Sequence, residues 1–418
     1  MKQVLLLTVF AAVIVLAGVD TAWDYPVDGY ASTGIRRLER LRLRLAGEMD
    51  GPTPVAGGRL ALSDIALRAT HLADLEGFPE PDASLSASIT RLFADRDKSY
   101  GLALLDITPG EPIRYASLRS HARFSPGSVG KLAIAAGMFA ELKKLFPESI
   151  DDRRRLLRER MITADHWIVY DSHKVVLFDP DSRQVGFRPI EEGDTFSLYE
   201  WFDHMISASA NAAGSTVWKE LLLMREFGRD YPPSREQERR FFDDTPKQTL
   251  REMALSVVNE PLREAGITES EWQLGSFFTR TGKAIVPGAP SYVTPNALLV
   301  FLLRIEQGRV VDEWSSLELK RLMYMTEKRI RYASSPRLTQ AAVFFKSGSL
   351  YRCKEEPGFK CGKHQGNVDN YMNSAAIVER PDGRVYLVAL MSNVLRINSA
   401  VEHQTLATYI DRIITRGD

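Results

Sequence analysis

Ser128 and Lys131 stand three residues apart in the stretch Phe124-Ser125-Pro126-Gly127-Ser128-Val129-Gly130-Lys131. On a helix that spacing puts both side chains on one face, one turn apart. A hydroxyl and an amine so placed can form a nucleophile and its base. The serine attacks once its proton is taken, and a lysine takes that proton if its own pKa is lowered. Burial lowers it, as do nearby cations and the positive end of a helix. Two other readings compete. One is a plain helix N-terminus, with Ser125 or Ser128 as cap and an exposed lysine. The other is a phosphate loop, which needs Gly at 125 and Ser or Thr at 132; the chain has Ser125 and Leu132 and fails at both.

Two later stretches carry residues of the same kinds. Met205-Ile206-Ser207-Ala208-Ser209-Ala210-Asn211-Ala212-Ala213 contains Ser209-Ala210-Asn211, and Phe344-Phe345-Lys346-Ser347-Gly348-Ser349 is an apolar strand ending in Lys-Ser-Gly. Singly, the first is a helix-end cap and the second a strand running into a turn. In order, the three read S-x-x-K, S-x-N and K-[ST]-G. At this point the chain resembles the penicillin-recognising serine hydrolases: class A β-lactamases, the closest group, D,D-peptidases and penicillin-binding proteins. Asp194-Thr195 before the second motif and Thr294-Pro295 before the third agree, and the resemblance covers roughly residues 85 to 416.

The resemblance implies roles. Ser128 is expected to be acylated, with Lys131 as base, helped by the cation of Lys346. Ser209 is expected to relay a proton to the leaving nitrogen, and Asn211 to orient Lys131 and the substrate amide. Lys346 and Ser347 are expected to bind a substrate carboxylate, and Gly348 to let substrate lie against the strand edge. The backbone N–H groups of Ser128 and Ser349 are the expected oxyanion hole. One family feature is missing. Class A β-lactamases carry a deacylating glutamate before the Thr-Pro helix, and the corresponding stretch, Leu274 to Pro290, has no carboxylate. Glu269 and Glu271 lie just upstream in what reads as a helix end. Slow deacylation follows, as in penicillin-binding proteins. Ala210 and Ser347 also replace the aspartate and threonine commoner at those places.

The elements that must position these residues are partly readable. Ala83 to Phe93 reads as a helix, and Tyr100 to Ile107 and Pro112 to Ala116 as a hairpin around Pro109-Gly110. An apolar helix runs from Leu132 to Leu142, and a charged one from Asp151 to Arg160. Ile168 to Phe187 suggests an inserted hairpin, and Thr195 to Ser207 a helix. Gly228 to Lys247 reads as a solvated surface excursion. Thr294-Pro295 opens a helix from Asn296 to Ile305. Val343 to Lys346, Tyr371 to Val378 and Arg384 to Met391 read as strands, the last two joined at Pro381-Asp382-Gly383, and Ser399 to Ile414 as a closing helix. The expected fold is α+β, an α/β/α sandwich: one five-stranded antiparallel sheet drawn from both chain ends, packed with a helical lobe.

The 418 residues, 44% hydrophobic and 26% charged, suffice for a sizeable core. Lys plus Arg equals Asp plus Glu, 54 each, which argues against nucleic acid as partner. Met1-Lys2 and the apolar run Val4 to Val19 predict an export signal over 1–22, cleaved near Ala22 or, second, kept as a membrane anchor. Residues 23–82 form an arm of unclear role, whose Arg36 to Leu45 fits a basic helix and an alternating strand alike. Residues 83–418 form the catalytic domain. In an exported protein Cys353 and Cys361 can pair, a bond worth about 2.5 kcal/mol in loop entropy. The scattered histidines predict no metal, and no cofactor is expected. The localisation expected is periplasmic or extracellular, and the partner a small-molecule or peptidoglycan-type substrate. Three functions remain: a D,D-peptidase-like hydrolase, a β-lactamase with an unconventional deacylation base, and a non-turnover binder of cell-wall fragments or β-lactams.

Overall fold

The computed structural model describes residues 28–326 and 328–416, so the export signal expected at 1–22 lies outside it. Five apolar runs pair as one antiparallel sheet: β1 (Gly101–Asp106), β2 (Arg114–Leu118), β3 (Ala342–Arg352), β4 (Asp369–Glu379) and β5 (Val385–Asn393). Their order is β2-β1-β5-β4-β3, so both ends of the chain build it and β3 lies at an edge. The central strands β1 and β5 are apolar at nearly every position because both faces are covered. Along β1, Ala103 and Leu105 enter one core, while Leu102 and Leu104 enter the other. The second core is closed by the Ala83–Phe93 and Ala400–Arg416 helices, through residues such as Ile89, Phe93, Leu406 and Ile410. The first is shared with the helical lobe. This is the α/β/α arrangement expected.

The Lys131–Leu145 helix runs through the lobe's centre, buried at every position from Lys131 to Leu142. A helix apolar all round must be surrounded. The Thr294-Pro295 start holds: Thr294 caps the Pro295–Glu306 helix by accepting from the Ala297 amide. The inserted hairpin pairs Val175–Phe178 with Val185–Arg188. Thr195–Ser197 is a short strand rather than a first helical turn. The helix begins at Leu198, where Ser197 and Glu200 form a reciprocal capping box.

Two expectations need correction or resolution. The stretch from 228 to 247 is not simply solvated: Arg235–Asp244 is a helix that buries Phe241 and Phe242, the latter 4.9 Å from the Trp167 ring. Arg36–Leu45 is a helix. Leu38 and Leu41 enter the core, and two of its arginines meet carboxylates of the Leu198–Ile206 helix: Arg36 with Glu200 at 2.8 Å and Arg37 with Asp203 at 2.6 Å. Cys353 and Cys361 form a disulfide in the connection between β3 and β4. Among the described residues no helix is long and apolar enough to cross a membrane.

Candidate active site

Ser128 sits in a tight turn, Gly127–Gly130, that feeds directly into the Lys131–Leu145 helix. The turn is tied to the sheet from below. Asn373, a polar residue buried in β4, donates to the Ser125 and Pro126 carbonyls at 2.9 and 3.0 Å. It is held from the side by close backbone contact with β3. A Cβ on Gly348 would lie 2.6 Å from the Pro126 carbonyl oxygen and 2.9 Å from the Ser128 nitrogen. A Cβ on Gly127, at φ +49°, would lie 2.9 Å from the Ser349 nitrogen. Only glycine allows such an approach. It sets the amides of Ser128 and Ser349 across one contact.

Lys131 has no exposed surface. Its Nζ lies 3.1 Å from Ser128 Oγ, 2.6 Å from the Ser209 carbonyl oxygen and 2.8 Å from Asn211 Oδ1. A neutral amine has two N–H bonds and one lone pair. The two N–H bonds go to the carbonyl acceptors, which leaves the lone pair facing the Ser128 hydroxyl. Burial pulls the Lys131 pKa down to about 7, while Asp171 pulls it the other way. Burial is thus the first cause of the shift, and the repulsion between the two buried lysines is felt at Lys346. Lys346 is itself held well below its ordinary value, first by burial and then by Lys131 and Arg331. Its Nζ donates to Ser209 Oγ at 2.8 Å and to the Ser347 carbonyl at 3.1 Å. Ser209 links the two lysines, its carbonyl on one and its hydroxyl on the other. It does so from a left-handed conformation, φ +62°, an uncommon state for a side-chain-bearing residue.

The Asn211–Phe227 helix places Asn211 at its first position. Asp171 caps it, accepting from the Ala212 amide at 2.8 Å and from His173 Nδ1 at 2.6 Å. Burial works against that carboxylate, but these hydrogen bonds keep it below its ordinary pKa. Further along, Ser215 Oγ accepts from the Phe278 and Thr279 amides, and the Phe278 ring lies 4.7 Å from Lys131 Nζ.

All the motif residues Ser128, Ser209, Asn211, Lys346, Ser347, Gly348 and Ser349 line one cleft of about 1300 Å³, with Lys131 buried at its floor. Ser347 Oγ lines it with no hydrogen-bond partner among the described residues. The sequence missed four contributors: Asn373, Asp171, Phe278 and Arg331. Arg331, at φ +53°, donates to the Gly348 carbonyl at 2.6 Å and to Ser349 Oγ at 2.9 Å. Burial lowers its pKa to about 10, which leaves it charged. Glu269 and Glu271 do not line the cleft, and Glu271 instead accepts from Asn296 Nδ2 at 2.9 Å.

Residues 243–414 match the family described as the β-lactamase enzyme family. Among solved structures, the chain is similar to PBP-A, seen in a point mutant's acyl-enzyme complex with penicillin G. The two are 15% identical, with 81% of this chain and 98% of that one covered at a TM-score of 0.52. The TLA-3 extended-spectrum β-lactamase is 14% identical over 80% of this chain and 98% of its own, with TM-score 0.53. A class A β-lactamase representative from Bacteroides cellulosilyticus is 15% identical over 81% and 100%, with TM-score 0.51. No functionally curated protein matches. The fold is that shared by serine β-lactamases and penicillin-binding proteins. The family match, over residues 243–414, agrees with that fold.

Proposed function

We propose that the protein is an exported hydrolase that forms an acyl-enzyme on Ser128, of the D,D-peptidase or penicillin-binding kind, acting on peptidoglycan-like amides or esters. Lys131 takes the Ser128 proton as the hydroxyl adds to the carbonyl, and the amides of Ser128 and Ser349 hold the developing oxyanion. Ser209 passes a proton to the leaving nitrogen, with Lys346 behind it. Asn211 keeps Lys131 in register and meets the substrate amide. Lys346, Ser347 and Arg331 receive the substrate's terminal carboxylate. The arriving anion restores the charge on Lys346 that burial suppresses.

One observation favours slow release of the acyl group. Among the described residues no aspartate or glutamate lines the cleft, and the Phe278 ring covers Lys131 on the side of the 274–290 segment. A water there has no carboxylate to activate it. The disulfide and the signal-like N-terminus support export, with the signal either cleaved or retained as an anchor.

Intact-protein mass after incubation with benzylpenicillin tests the reading. The wild-type chain should hold one persistent adduct, and Ser128→Ala none. An adduct that disappears while penicillin is consumed would favour a β-lactamase. No adduct and no consumption would favour a binder.

A further inference from the structure

A chain with 54 acidic and 54 basic residues should line a large cleft with both signs. This cleft has seven lysines and arginines and, among the described residues, no aspartate or glutamate. Only part of that charge has a task in the reading above. Lys346 and Arg331 serve one carboxylate. Lys174, Lys283, Lys328 and Lys363 are exposed, and none has a carboxylate within ion-pair distance among the described residues.

These four fall on two walls. Lys328 and Lys363 belong to the connections around β3, beside Arg331. Lys174 and Lys283 belong to the helical lobe. The Arg280 amide donates to the Val169 carbonyl at 3.2 Å, and the Arg280 guanidinium lies 5.2 Å from the Tyr170 ring centre. The short Arg280–Ile285 helix that carries Lys283 therefore packs against the segment that leads to Lys174. Lys174 stands 5.6 Å from the ring of Phe187, which is itself 64% exposed on the inserted hairpin. Asp171, three residues before Lys174, is committed to His173 and the Ala212 amide. Unbalanced like charges around a concave surface repel one another and raise the local potential. A site that keeps them is suited to an anion.

We propose that the natural acyl donor carries at least two acid groups: a terminal carboxylate taken by Lys346, Ser347 and Arg331, and a second anion on the acyl side, met by Lys174 and Lys283. The inference rests on the acyl-enzyme reading and narrows its substrate to multiply anionic amides or esters. The lobe wall is the acyl side because Asn211, which meets the substrate amide, lies on it.

The test compares benzylpenicillin with its α-carboxy and α-sulfo analogues, which add one charge to the acyl side chain. Second-order rates of adduct formation come from intact mass. The dianions should react about tenfold faster at low salt, and added salt should shrink the ratio. Lys174→Gln with Lys283→Gln should bring the ratio close to one. A preference for the α-carboxy compound assigns a carboxylate, and one for the α-sulfo compound a tetrahedral acid such as a phosphate. Equal rates for all three overturn the proposal and leave the acyl-enzyme reading intact. If none forms an adduct, the acyl-enzyme reading fails. Calorimetric dissociation constants on Ser128→Ala then decide the charge preference without chemistry, and equal affinities overturn it.

Discussion

Below pH about 7, Lys131 carries the proton that it must lack to act as a base. The ammonium is the inactive form, so acylation of Ser128 should climb about tenfold per pH unit at low pH and level off above about 7. Asp171 raises the Lys131 pKa, so Asp171→Asn should move that limb to lower pH. Adduct-formation rates across the range from about pH 5 to 9 would show the shift. A limb that stays put or moves up would remove Asp171 from this role. Five residues at this scale were legible because each is a fixed type within a short local motif: Ser128, Lys131, Ser209, Asn211 and Lys346. Arg331, Asp171, Phe278 and Asn373 were not. Their contacts are backbone carbonyls, an amide and a ring, reached from connections and a neighbouring strand, and no local spacing encodes such contacts. The charge state of Lys346 was hidden for a related reason, since it depends on how completely the fold buries it.

At the scale of elements, the seat of the reaction is the contact between the Gly127–Gly130 turn and the edge strand β3. Gly348→Ala should force them apart, because the added methyl meets the Pro126 oxygen and the Ser128 and Val129 nitrogens, all under 3.0 Å. Adduct formation should fall by about tenfold or more, since near-attack geometry is sensitive to displacements of this size. An unchanged rate would mean that the strand edge does not set the geometry of attack. The strands and the Thr294 cap were legible because apolar runs, Pro-Gly turns and a capping threonine are local signals. Arg36–Leu45 was ambiguous because Leu38, Leu41, Leu43 and Leu45 fit either period. What settles it lies more than 160 residues away, in Glu200 and Asp203. In Arg235–Asp244 the charges concealed the helix, and the adjacent Phe241 and Phe242 were the signal to weigh.

For the whole molecule, residues 28–82 act as a strap across both layers. Arg37 pairs with Asp203 in the lobe, and Arg68 pairs at 2.7 Å with Glu379 in the sheet. Lys320 joins the same region, 2.6 Å from Glu306 and from the Ala66 carbonyl. Arg37→Ala leaves Asp203, which has no exposed surface, without its bidentate partner. It should lower stability by about 3–5 kcal/mol in urea unfolding, and Arg37→Met with Asp203→Leu should recover much of the loss. An Arg37→Ala chain as stable as wild type would show that the strap is not held by this pair.

The centre of the sheet joins Leu104 to Val388, strands separated by nearly the whole domain. In this sheet β1 has only β2 beside it until the last strand emerges, so the sheet cannot close before then. Closing so long a loop is slow compared with local helix formation. A chain proposed to leave the cytoplasm thus completes the sheet that carries Lys346 and Gly348 only after its last strand has been made.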